Sequence, residues 1–109
     1  MIYLASPYSH PDSSVREERF QEICKIAGKL MEEGHVIFFP IAMGHPIACA
    51  HPSLPTDWQY WKRFGTEFLH ASEKLIVAMM DGWVDSAGVT GEIAIANEIG
   101  IPIQYLEVV

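Results

Sequence analysis

Residues Leu75 to Gly100 read LIVAMMDGWVDSAGVTGEIAIANEIG, and this stretch decides the fold. Leu75 to Met80 is an apolar run of strand length. Asp81 and Asp85 follow in a loop of small residues. Gly88 to Gly91 then lead into Glu92, Ile93, Ile95, Ala96 and Ile99, which repeat at helical spacing. A buried strand, a glycine-bearing turn and a helix start make half of a βαβ unit. In open α/β sheets the ligand crevice lies beyond the carboxyl ends of the strands. Asp81, Asp85, Ser86 and Glu92 therefore fall where such a site is built. Glu92 is expected near the helix N-terminus, where the macrodipole favours a carboxylate.

Working outward, Ile2 to Ala5 is a first strand buried on both faces. Residues 6–12 (SPYSHPD) are a loop held out of helix by two prolines. Asp12, Ser13 or Ser14 can cap the next helix, and Ser14-x-x-Glu17 resembles a capping box. Phe20, Ile23, Cys24, Ala27, Leu30 and Met31 form its apolar face, and Gly34 ends it. Residues 35–39 (HVIFF) make a second strand, stopped by Pro40. Residues 40–56 hold four prolines and one glycine without periodicity, which predicts a long lid or binding loop. Thr56 or Asp57 caps a second helix with Trp58, Trp61, Phe64, Phe68 and Leu69 on one face, and Gly65 marks a close approach. The third strand covers 75–80, the third helix about 89–99 and the fourth strand about 102–106, with Gly100 and Pro102 between the last two.

This β-α-β-α-β-α-β order predicts one domain over residues 1–109. It is a flavodoxin-like or Rossmann-like three-layer sandwich with a four-stranded parallel sheet ordered 2-1-3-4. The first and third strands are then neighbours. Tyr3 and Glu92 converge on one crevice, between the loops at 6–12 and 81–91.

Composition narrows the partners. Seven Lys and Arg stand against fourteen Asp and Glu, a formal charge of −7, with no basic run. Duplex nucleic acid is a poor partner for such a chain. A single phosphate can still be held by backbone amides. No apolar run approaches the ~20 residues that span a bilayer. The start lacks the charged and apolar regions of a signal peptide. Cys24 and Cys49 fit no C-x-x-C motif. A cytoplasmic setting without a membrane is expected. The abundance of apolar residues, Trp58, Trp61 and Trp83 among them, points to a homo-oligomer.

Several constellations could carry chemistry. Glycosidic bond cleavage uses two acidic groups, one at carbon and one delivering a proton to the leaving group. Glu92 with Asp81 and Asp85 suits this; the plainer alternative is a first-turn glutamate and turn-shaping aspartates. Gly82, Gly88 and Gly91 suit phosphate or ribose but spell neither a dinucleotide motif nor a P-loop. His45, Cys49 and His51 resemble metal ligands, yet a fourth is missing and His-Pro twice punctuates a loop. No metal or cofactor is expected. The second-helix aromatics could stack on a base, but core packing explains their spacing better. Serines 6, 9 and 86 lack a nucleophile elbow. Arg16 and Arg19 could meet a phosphate, or pair with Glu17 and Glu18 on a solvated face.

Taken together, MIYLASPY at the start and DGWVDSAGVTGEIAIANEIGIPI near the end resemble the nucleoside 2-deoxyribosyltransferase superfamily. The likeness is to its small uncharacterised branch with a G-W-x-x-S-x-G-x-x-x-E pattern, here Gly82, Trp83, Ser86, Gly88 and Glu92. The element order matches over nearly the whole chain, and the specific motifs cover about thirty residues. The resemblance implies that Glu92 is a nucleophile at C1′ of a sugar and that Tyr3 orients it. It also implies that Ser86, where the transferases carry an aspartate, lies with Gly88 at a 5′-phosphate. Ser6 replaces the family's usual glycine, and Arg16 would stand in for a basic residue missing from that loop. Asp81 or Asp85 would supply the proton, and Tyr8 would cover the base. The implied activity is hydrolysis or base transfer at the N-glycosidic bond of a (deoxy)nucleoside, with a 5′-monophosphate favoured. The alternative is a non-catalytic nucleotide-binding module of the same fold.

Overall fold

A computed structural model describes residues 1–108. Its elements are β1 (Ile2–Ala5), α1 (Ser13–Glu32), β2 (Ile37–Phe38), α2 (Pro40–Ala50), α3 (Trp58–His70), β3 (Lys74–Met79), a 3-10 turn (Trp83–Asp85), α4 (Ala87–Ile99) and β4 (Ile103–Glu107). Residue 109, the end of the expected domain, lies outside the described residues. The four strands are parallel and ordered β2-β1-β3-β4, as the alternation of elements predicts.

Side chains on the two central strands alternate between two cores, because successive Cβ atoms leave opposite faces of a strand. Ile2, Leu4, Ile76, Ala78 and Met80 face α1, where Ile23, Ala27 and Leu30 meet them, together with Phe39 and Ile41 at the start of α2. Tyr3, Ala5, Leu75 and Val77 face the other way, onto Leu69 of α3 and Val89 and Ala96 of α4. The result is a three-layer sandwich. Tyr3, a large polar-tipped residue, is thereby aimed into the α3–α4 layer by strand parity alone.

Asp12 caps α1 by accepting from the Ser14 N–H at 2.9 Å. The expected capping box does not close, because Glu17 reaches His45 instead. Gly34 ends the helix in the left-handed region at φ +97, where a side chain would be strained. Ser86 caps α4 by accepting from the Val89 N–H at 3.2 Å.

The stretch 40–56 departs from expectation: it is not a loop throughout, since Pro40 to Ala50 form α2. Pro40 ends the strand and opens the helix, a position where its missing N–H costs nothing. Pro46 lies inside the same helix, where it leaves one carbonyl without its helical donor. The segment is apolar on most sides, so no amphipathic stripe betrays it.

Candidate active site

The carboxyl ends of β1 and β3 open onto a cavity walled by α2, α3 and the start of α4. Tyr3, Ser6, Tyr8, Ser9, Ser86, Gly88 and Glu92 all line it. On the floor, the Tyr3 hydroxyl donates to Glu92 Oε2. Both residues are buried, Tyr3 completely and Glu92 to 3 % exposure. The close approach expected at Gly65 occurs here: a Cβ on that residue would lie 3.0 Å from the Tyr3 hydroxyl.

Glu92 is not at the helix terminus. It is the sixth residue of α4, about a turn and a half inside, beyond the reach of the terminal dipole. Desolvation therefore dominates and pushes its carboxyl up to about 8, against the smaller downward pull of the Tyr3 hydrogen bond. The expectation that the macrodipole favours the carboxylate is corrected by this burial. The Tyr3 phenol is likewise held far above its ordinary range, first by burial and then by the charge and hydrogen bond of Glu92. The proton shared by the pair stays on the phenol, and an ionised Glu92 is what it stabilises.

Asp81 and Asp85 are both exposed and neither lines the cavity. Their place beside the 3-10 turn sends them to solvent, so the sequence expectation of a proton donor there is corrected. The second carboxylate facing the cavity is Asp57. It occupies the N-cap position of α3, but its side chain makes no capping hydrogen bond, and it is exposed at the mouth. Sequence reading took it for a cap. The signal that could have found it is its place between a proline-rich stretch and an aromatic helix.

Arg16 also lies off the cavity lining: its guanidinium donates to the main-chain oxygen of His10. Arg19 donates to the Ser9 oxygen at 2.9 Å and more weakly to that of Tyr8 at 3.4 Å. It also lies against Gly82, where a Cβ would come within 2.7 Å of its guanidinium. It thus bridges the loops after β1 and β3. Neither arginine pairs with Glu17 or Glu18; among the described residues Met1 and Glu73 form an ion pair, and Glu17 is hydrogen-bonded to His45.

The aromatic face of α3 belongs to the site rather than to a closed core. Trp58, Trp61, Phe64 and Phe68 form a wall of the cavity, with Phe38 from β2 stacked on Phe68 at 3.9 Å between centroids. Ser9 Oγ ties the first loop to the Thr56 carbonyl at 2.6 Å, closing the rim. Ser6 has the one buried side-chain oxygen without a partner among the described residues. Such a group costs about 1–3 kcal/mol when left unpaired. The described residues contain no cluster of three or more histidine, cysteine, aspartate or glutamate side chains able to hold a metal; His45 instead bonds Tyr8 and Glu17.

Fold and site define a parallel α/β domain with a buried tyrosine–glutamate pair at the floor of an aromatic-walled crevice. The chain belongs to the family described as a domain of unknown function, DUF1937, whose model matches residues 1–108. No curated protein matches the sequence. No helix of the described residues is long and apolar enough to cross a membrane.

Proposed function

We propose that this domain cleaves the N-glycosidic bond of a (deoxy)nucleoside 5′-monophosphate, as its resemblance to the nucleoside 2-deoxyribosyltransferase superfamily implies. The observation that carries the reading is Glu92, buried at the cavity floor and accepting a hydrogen bond from Tyr3. A carboxylate held there can attack C1′ as the bond from C1′ to the base nitrogen breaks. The bonding pair leaves on the nitrogen, which takes a proton from Asp57. Water then attacks C1′, loses its proton to the Asp57 carboxylate and frees Glu92. A second base in place of water would make the reaction a transfer.

The start of α4 supports the phosphate assignment. Its first turn carries no acidic residue, and Ser86 and Gly88 line the cavity. Helix-terminal N–H groups favour an anion. Because Ser86 Oγ accepts from Val89, its own proton is free for a phosphate oxygen. Ser6 would find its missing partner on the same ligand.

A second reading, a non-catalytic nucleotide binder, is favoured by one observation: a Glu92 carboxyl pushed up to about 8 is mostly protonated at neutral pH. One experiment separates the two. The protein is incubated at pH 7 and pH 9 with nucleosides and their 5′-monophosphates, and free base is measured. Release that vanishes in Glu92→Gln supports the enzyme. Nucleotide-dependent thermal stabilisation without release supports the binder. Neither response removes both.

A further inference from the structure

The chemistry proposed above leaves the polar end of the cavity unused. There Tyr8, from the loop after β1, and His45, from α2, lie 2.7 Å apart between the phenol oxygen and Nδ1. The other ring nitrogen, Nε2, is 2.6 Å from Glu17 Oε2 on α1. Phe20 stacks on the imidazole at 4.3 Å between centroids, and His45 is only 8 % exposed, so the ring plane is fixed. Cys49 Sγ, 3.6 Å from Nε2, adds a weak contact on the same nitrogen.

The hydrogen-bond roles follow from this geometry. An ionised carboxylate accepts only, so Nε2 carries a hydrogen and donates it to Glu17. Nδ1 of the neutral ring is then an acceptor, and the proton within reach is that of the phenol. Tyr8 commits its proton to His45, and its oxygen offers lone pairs alone. Arg16 donates to the His10 carbonyl. Its charge and its hydrogen bond to the phenol oxygen oppose the larger rise that burial imposes on Tyr8, and they leave that oxygen a second lone pair for a ligand.

We propose that Glu17 and His45 are positioning residues that fix the Tyr8 hydroxyl as a hydrogen-bond acceptor, and that the base recognised in this cavity bears an exocyclic amino group to meet it. This rests on the reading of the cavity as a nucleotide site. The sugar belongs beside Glu92, whereas Trp61, whose ring lies against Gly44 next to His45, offers a face that suits a flat base.

The test is calorimetric titration with two pairs of nucleotides. Adenosine 5′-monophosphate is set against purine riboside 5′-monophosphate, and cytidine 5′-monophosphate against the pyrimidin-2-one analogue. Wild type and Glu92→Gln, which keeps the nucleotide intact, are both titrated. In the pair that binds, the amino member is expected to bind about five- to tenfold tighter, the worth of one neutral hydrogen bond. Tyr8→Phe brings the ratio to about one. Glu17→Gln, whose amide can donate to Nε2 and reverse the tautomer, lowers the ratio by roughly threefold or more with an unchanged thermal midpoint. A purely structural role would weaken both members equally. Equal affinities in wild type, or a ratio untouched by Tyr8→Phe or by Glu17→Gln, overturns the inference and leaves the nucleotide reading standing. Failure of all four nucleotides to bind overturns the inference, and failure of uridine and thymidine 5′-monophosphates as well overturns both.

Discussion

The phenol of Tyr3 and the carboxyl of Glu92 are separated by 89 positions in the chain and joined by one hydrogen bond at the base of the cavity. The parallel pairing of β1 with β3 brings their elements together, and strand parity turns Tyr3 towards α4. A buried acid costs stability in its ionised form unless something offsets the lost water. Here one phenol offsets part of it, and the remainder appears as the raised carboxyl.

Stability should therefore fall as pH rises. The folded-state value of Glu92 is about 8 against an ordinary 4.5, so the folded protein binds more protons than the unfolded chain between those limits. The contribution is fully present below about 4.5 and is lost as pH climbs through about 8. Glu92→Gln keeps the shape and an acceptor for Tyr3 but cannot ionise. Chemical unfolding at pH 6 and pH 9 should show wild type losing stability relative to the variant by a few kcal/mol. Parallel pH profiles for the two proteins would place the ionised carboxyl in water.

Catalysis should run the opposite way. If Glu92 attacks as a carboxylate, kcat/KM for release of a base that needs no proton to leave, such as that of a 7-methylguanosine nucleotide, rises with pH through about 8 and levels off above it. Tyr3 lowers that carboxyl by its hydrogen bond, so Tyr3→Phe moves the rising limb higher and reduces release at pH 7 by at least about tenfold. A Tyr3→Phe profile overlying that of wild type would remove Tyr3 from any role in holding the acid.

Periodicity sufficed for the sheet order, for α1, α3 and α4, and for the meeting of Tyr3 with Glu92. These follow from apolar spacing and the right-handed crossover. It failed where local rules conflict with packing. Pro40 and Pro46 advertise a loop, yet α2 forms because one proline sits at a helix start and the other is tolerated within. Asp81 and Asp85 looked catalytic because they stand in the right loop; the tight turn at Trp83–Asp85 leaves them in water. Asp57 and the Glu17–His45–Tyr8 chain depend on how α2 and α3 fold back over the sheet, a tertiary fact with no period to announce it.

In the proposed reaction the proton for the departing base comes from Asp57, which lines the cavity. Asp57→Asn should reduce base release from ordinary purine nucleotides by about a hundredfold, the lower range for general acid catalysis. A 7-methylguanosine nucleotide already carries positive charge on its base and needs no proton to leave. Its cleavage should fall by less than about threefold in the same variant. Equal losses on both substrates would show Asp57 serving binding or shape instead. Retained activity on both would move the proton donor elsewhere.

Gly65 tests how tightly the floor is packed. It lies inside α3, where alanine would ordinarily gain about 1 kcal/mol in helix propensity. A Cβ there would lie 3.0 Å from the Tyr3 hydroxyl and 3.3 Å from the Trp58 ring. Tyr3 is fully buried and bonded to Glu92, so it has nowhere to retreat. The clash should outweigh the propensity gain, giving a net loss of roughly 1–2 kcal/mol. Base release should fall as well, because the displaced atom is the one that holds the acid. Thermal unfolding and the release assay on Gly65→Ala check both halves. A variant more stable than wild type with full activity would mean that the phenol can shift without consequence, and that its contact with Glu92 is looser than the packing around it requires.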